Sequence, residues 1–142
     1  MEHPNTALIR MLVAGYGDPV MVAAVFASDA SWTEPGDSPI SGQYIGHDAI
    51  ADLMKEVLEV SGGTFRIEEL VEALAGERHG LAVLRVQGTH GNRPIETTDR
   101  LLLTFSSGKI SDVLVISEDQ TEVDAFWSDH DASSNSAGQD GV

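Results

Sequence analysis

A chain of 142 residues is long enough to bury a core of its own, so one domain that needs neither a metal nor disulfides is expected. It contains no cysteine, which excludes disulfides, thiolate catalysis and thiolate metal sites. Eight Lys and Arg against 23 Asp and Glu leave a net charge of -15, which repels phosphate backbones and anionic lipid and argues against nucleic-acid and membrane partners.

The start, Met1-Glu2-His3-Pro4-Asn5, has neither the basic residues nor the apolar run of a secretory signal. Every apolar stretch is broken well short of the about 20 residues a membrane helix requires. A soluble, cytoplasmic protein is therefore expected. Residues 6–15 read as a first helix, with Leu8, Ile9, Leu12 and Val13 at helical spacing. A second short helix follows, with Asp18 as N-cap, Pro19 in the first turn and Val22, Val25 and Phe26 as its stripe.

Next comes a strand-like run, Ala30-Ser31-Trp32-Thr33-Glu34, closed by Pro35-Gly36. Alternation puts Ala30, Trp32 and Glu34 on one face, so a carboxylate shares the side that carries an indole. Apolar surroundings destabilise an ionised carboxylate, raise its pKa toward neutrality and make it a usable general acid or base. Residues 35–46 read as a turn-rich loop over the domain. From about His47 to Val60, Ile50, Leu53, Met54, Val57 and Leu58 form one stripe of the clearest helix, ended by Gly62-Gly63.

Residues 64–74, 81–90, 95–105 and 109–117 read as strands joined by short turns, hence antiparallel neighbours. In the third of these, Ile95, Thr97, Asp99, Leu101, Leu103 and Phe105 share a face, which makes Asp99 the single charge on an apolar row. In the second, Ala82, Leu84, Val86, Gly88 and His90 share one, so His90 closes an apolar row. A last helical turn or two around Thr121–Trp127 folds back using Val123, Phe126 and Trp127. No Lys or Arg follows Lys109, seven acids lie from Glu118 onward, and residues 128–142 read as an acidic, disordered tail beyond a domain spanning 1–127. Helices first and a meander afterwards describe an α+β domain with helices on one face of a curved, mostly antiparallel sheet.

Three titratable groups on apolar faces, Glu34, His90 and Asp99, suggest one polar spot in a hydrophobic cavity, the usual form of a small-molecule site. Trp32, Tyr16, Tyr44 and Met54 are expected to bind the substrate there. Leu84, Leu101 and Trp127 complete that expectation. No dinucleotide or phosphate-binding glycine motif and no nucleophile turn occurs, and the five histidines are too scattered for a metal motif, so neither cofactor nor metal is expected.

Several phrases together resemble the nuclear transport factor 2-like superfamily, in its SnoaL-like and ketosteroid isomerase-like branch. They are Ala27-Ser28-Asp29-Ala30-Ser31-Trp32-Thr33-Glu34-Pro35-Gly36, Ile40-Ser41-Gly42 with Gly46-His47-Asp48-Ala49-Ile50, Gly88-Thr89-His90, and Leu103-Thr104-Phe105 before Gly108-Lys109-Ile110. The resemblance implies a cone-shaped α+β barrel around a pocket and a homodimer formed through the outer sheet face. Glu34 falls where ketosteroid isomerases carry their proton-shuttling aspartate, and His90 falls in a phrase similar to one of the SnoaL-like polyketide cyclases. The isomerases' second aspartate aligns with Leu101 and their first-helix tyrosine near Arg10, so Asp99, one pleat away, would have to substitute. The arginine and aspartate set of limonene epoxide hydrolases is not matched. The expected activity is cofactor-independent acid-base chemistry of isomerase or cyclase type on a hydrophobic small molecule such as a polyketide or terpenoid intermediate. The alternatives are a non-catalytic binding or accessory protein of the same fold, or a related dehydratase or epoxide hydrolase.

Overall fold

The computed structural model describes residues 2–128. Its elements run α1 (Asn5–Ala14), α2 (Pro19–Val25), β1 (Phe26–Glu34), β2 (Gly42–Ile45), α3 (His47–Val60), β3 (Arg66–Ala75), β4 (His79–His90), β5 (Arg93–Ser106) and β6 (Lys109–Ser117), followed by a helix α4 over 120–128. Each helix starts and stops for a local reason. The Asp18 carboxylate accepts the Val20 N–H at 2.9 Å and so caps α2, while Gly62 and Gly63, at φ of 64° and 80°, turn the chain away from α3. The stripes bury as their spacing requires: Ile9 and Leu12 of α1 and Ile50, Leu53, Met54 and Val57 of α3 are all in the core.

The six strands form one sheet in the order β2-β1-β6-β5-β4-β3. All neighbours are antiparallel except β1 and β6, which run parallel. α1 packs on β3 and β6, α3 on β1 and β2, and α2 on α1 and α3, so the helices cover one face of the sheet. Breaks of register in β3–β4 and β5–β6 are bulges, which add local bend and twist. The sheet curls without closing and leaves β2 and β3 as edges. This is the expected α+β arrangement. The Asn5 side chain ties the far corner by donating to the Gly76 and Glu77 carbonyls at 3.1 and 3.2 Å.

Strand phases match the expected parities. Along β5, Ile95, Leu101, Leu103 and Phe105 are buried, and along β4 so are Ala82, Leu84, Val86 and His90. Two features differ. β1 begins at Phe26, four residues before the expected start, and residues 42–45 form a strand where only loop was expected, pairing Trp32 with Tyr44 and Glu34 with Gly42. The strand β2 buries neither face, so no alternation marks it in the sequence. Of the expected tail, Ser128 ends α4 and residues 129–142 lie outside the described residues.

Candidate functional site

Glu34 is the last residue of β1 and follows Trp32 on the same face, and the indole Nε1–H donates to its Oε2 at 3.3 Å. The carboxyl is tightly surrounded by protein. Burial pushes its pKa from the ordinary 4.5 to about 8, the Trp32 hydrogen bond pulls it back in part, and the nearby Asp99 raises it further. Asp99 lies midway along β5, with Leu84 of β4 on one side and Ser117 of β6 on the other. Burial lifts its pKa to about 6 against the lowering effect of a Ser117 hydrogen bond. Among the described residues its Oδ1 is buried without a hydrogen-bond partner. Such an atom normally has one.

Two adjoining hollows, of about 50 and 40 Å³, meet at these acids and share Tyr16, Glu34, Phe65, Asp99 and Val115 as walls. The inner hollow adds Leu12, Trp32, Ile67, Leu84, Val86 and Leu101. The outer one is roofed by the 35–40 loop and α4, through Ser38, Ile40, Gln120 and Trp127 among others, with Ser117 from the end of β6. As they stand the hollows hold only a few waters, so a substrate must part their walls. The roof is held by Gln120, which donates to the Pro35 carbonyl at 3.2 Å, and by Asp124, which accepts the Asp37 N–H at 2.9 Å. Tyr16 has its pKa raised well above the ordinary value by burial, then by Glu34 and Asp99, so its hydroxyl stays a donor at any physiological pH. A wider groove of about 970 Å³ runs beside α3, but its Asp48, Asp52, Lys55 and Glu59 are that helix's solvated polar face rather than a site.

The structure thus brings Glu34 and Asp99 together and does not bring His90 to them. His90 is buried at the end of β4, where its Nδ1 lies 2.7 Å from the Phe126 carbonyl and its ring packs on Phe126 and Trp127. It lines neither hollow. Of the residues expected to bind substrate, Trp32, Tyr16, Leu84, Leu101 and Trp127 do line the hollows. Met54 is instead in the closed core, its sulfur 3.5 Å from the Gly17 N–H, and the Tyr44 hydroxyl donates to the Ile40 carbonyl at 2.7 Å. Burial, then Glu56 and Glu34, raise the pKa of Tyr44. Sequence reasoning missed Phe65, Val115, Ser117 and Gln120. The parity of β6, which puts Val113, Val115 and Ser117 on one face, could have found two of them, whereas Phe65 and Gln120 lie outside the strands and carry no such signal. Among the described residues no group of His, Asp and Glu could hold a metal ion.

The model of the SnoaL-like domain matches residues 7–113. The chain belongs to this family. It is 22% identical over 124 residues to an uncharacterized protein of Mycobacterium tuberculosis, covering 84% of this chain and 93% of that protein. A Xanthomonas campestris protein of unknown function with a cystatin-like fold is similar at 26% identity and a TM-score of 0.80, over 89% of this chain and 98% of the other. A putative SnoaL-like polyketide cyclase from a Jannaschia species shares the fold with a TM-score of 0.74 at 11% identity, over 89% and 93% of the two chains. The family assignment and the fold agree with the resemblance drawn from the sequence. Among the described residues no helix is long and apolar enough to cross a membrane.

Proposed function

We propose that this SnoaL-like protein is a cofactor-independent acid-base enzyme of isomerase or cyclase type, moving a proton next to a carbonyl of a hydrophobic small molecule. The observation that carries this reading is the Glu34 and Asp99 pair, two acids at one hollow with pKa values near 8 and 6. Between those values the two acids together carry one proton, so they offer an acceptor and a donor at once. The proton rests mainly on Glu34. The strand pattern left Glu34 a general acid or base; in the resting site it enters as the acid, and Asp99, with its unpartnered Oδ1, is the acceptor. Asp99 takes a proton from the carbon beside the carbonyl while Glu34 and the Tyr16 hydroxyl donate hydrogen bonds to the developing enolate oxygen. Asp99 returns the proton to another carbon, or the enolate attacks a second carbonyl of the same molecule and the alkoxide so formed takes the proton from Asp99; either way the pair is regenerated. The apolar walls keep water out and the pKa values high. His90 serves as a positioning residue, holding Phe126 and hence the neighbouring Trp127.

The test needs no substrate name. In deuterated buffer the protein should catalyse exchange of the hydrogens beside the carbonyl in a panel of hydrophobic ketones, followed by NMR. Glu34→Gln and Asp99→Asn should each lower that rate by about 10²–10⁴-fold with the circular dichroism spectrum unchanged. Full exchange in either variant removes the mechanism, and binding without any exchange in the natural chain favours a non-catalytic binding role.

The assembly we propose is a cytoplasmic homodimer through the outer sheet face. Leu74, Leu81, Leu102 and Leu114 stand in register across β3, β4, β5 and β6 there, and Leu74 and Leu102 are exposed. Leu102→Glu should convert the dimer to monomer in sedimentation.

A further inference from the structure

The two hollows differ on either side of the acid pair. Beyond the walls they share, the inner one is built only of aliphatic side chains and Trp32, whose N–H is already donated to Glu34. The outer one adds two hydroxyls, Ser38 and Ser117, and the Gln120 amide. Neither hollow is lined by Lys, Arg or His among the described residues. A carboxylate, sulfate or phosphate on the ligand would therefore enter beside two acids with nothing to neutralise it, and a buried charge without a partner is strongly disfavoured. A cation is not disfavoured in this way, because Glu34 and Asp99 are walls of both hollows and the Asp124 carboxylate lies 2.8 Å behind the Gln120 amide, so the lining discriminates specifically against anions. Entry has a direction as well. The roof of the outer hollow is a loop with exposed Gly36 and Asp37, fastened to α4 by a few hydrogen bonds, whereas the inner hollow is backed by the core.

We propose that the site rejects anions and takes a molecule with one apolar and one hydrogen-bonding end, the apolar end seated against Trp32 and Leu101 and the other at Ser117 and Gln120. This inference rests on the same pocket being the working site, and it adds the class and the orientation of its substrate. A molecule that enters apolar end first leaves its polar end where hydroxyl and amide groups replace water.

The chain has two tryptophans, one on each hollow, so fluorescence can follow either end. Trp127→Phe leaves Trp32 as reporter of the inner hollow, and Trp32→Phe leaves Trp127 for the outer. The probes are para-hydroxymethylacetophenone, para-acetylbenzoate and para-aminomethylacetophenone as its ammonium, titrated at pH 7 against each reporter. The alcohol and the ammonium should each bind at least about tenfold more tightly than the benzoate. Gln120→Arg, on a partly exposed helix position and checked for folding by circular dichroism, should raise the affinity for the benzoate by about tenfold or more. Ser117→Ala should weaken the alcohol and leave unsubstituted acetophenone unchanged. Binding of the benzoate by the natural chain as tight as that of the alcohol, or tighter, overturns the inference, as does failure of all three to bind up to their solubility limits. The ranking is repeated in Glu34→Gln. The expected ranking in a natural chain that itself shows no exchange leaves the specificity standing and removes the enzymatic reading, while exchange by the natural chain with the opposite ranking does the reverse.

Discussion

His90 and Asp99 start from the same position in the argument and end differently. Each interrupts an apolar row on one of two adjacent strands, and each faces the helices. The His90 ring is then absorbed: its Nδ1 meets the Phe126 carbonyl and its faces meet aromatic rings, so it closes the end of the sheet under α4. Asp99 is held by a serine on one side only, with an oxygen buried and unpaired and a second acid, Glu34, close enough for Asp99 to raise its cost of ionisation. A polar group on a buried face is thus a question with two answers. It is structural where the fold supplies its partner, as for His90, and a candidate for chemistry where the fold leaves an oxygen unpaired at a hollow, as for Asp99.

Removing each group should separate the two cases. The largest effect is on turnover: Asp99→Asn should nearly abolish exchange beside the carbonyl, whereas His90→Phe should retain most of it, and comparable losses in both would erase the distinction. The next is the pH dependence of stability. Glu34 ordinarily releases its proton near 4.5 and in the fold near 8, and Asp99 near 3.8 and near 6. Over those windows the folded chain binds more protons than the unfolded one, so stability falls as pH rises from about 4 to 8. Glu34→Gln and Asp99→Asn should flatten the decline of Tm with pH and raise Tm at pH 8, with a gain on the order of a few kcal/mol at most. His90→Phe should have the opposite sign: it leaves the Phe126 carbonyl without that ring nitrogen and should cost about 1–3 kcal/mol in urea unfolding. Smallest is Ser117→Ala, which removes the group that lowers the Asp99 pKa. It should move the acid limb of the exchange profile upward by less than about one pH unit, and a downward shift would mean that the serine does not stabilise the carboxylate.

Much of this was legible because two periodicities carried it. The stripe of α3, the cap at Asp18 and the parities of β4 and β5 are local, and local pattern put Glu34, Asp99 and His90 inside. Which of them meet is a matter of register across strands far apart in the chain, and parity holds no information on that. β2 escaped because an exposed edge strand has no buried face to alternate. Met54 was expected at the ligand and lies in the closed core, since a stripe position tells that a side chain is covered but not by what. Phe65 and Gln120 reach the hollow from a strand entrance and from a terminal helix, and nothing in their neighbours' spacing marks them.

The parallel pairing of β1 with β6 has a consequence for how the molecule is made. Residue 31 lies beside residue 112 and residue 33 beside residue 114, so the segment bearing Glu34 emerges from the ribosome some eighty residues before the strand that completes its sheet. Contacts that distant in sequence are slow to close. During synthesis β1 has only the short β2 to pair with, and the nascent chain exposes the buried face of β1, Phe26, Ala30 and Trp32, until β6 has been translated. The hollow at Glu34 and Asp99 is accordingly among the last parts of the protein to exist, and ribosome-bound chains stalled before residue 109 should be protease-sensitive and prone to associate through that open edge.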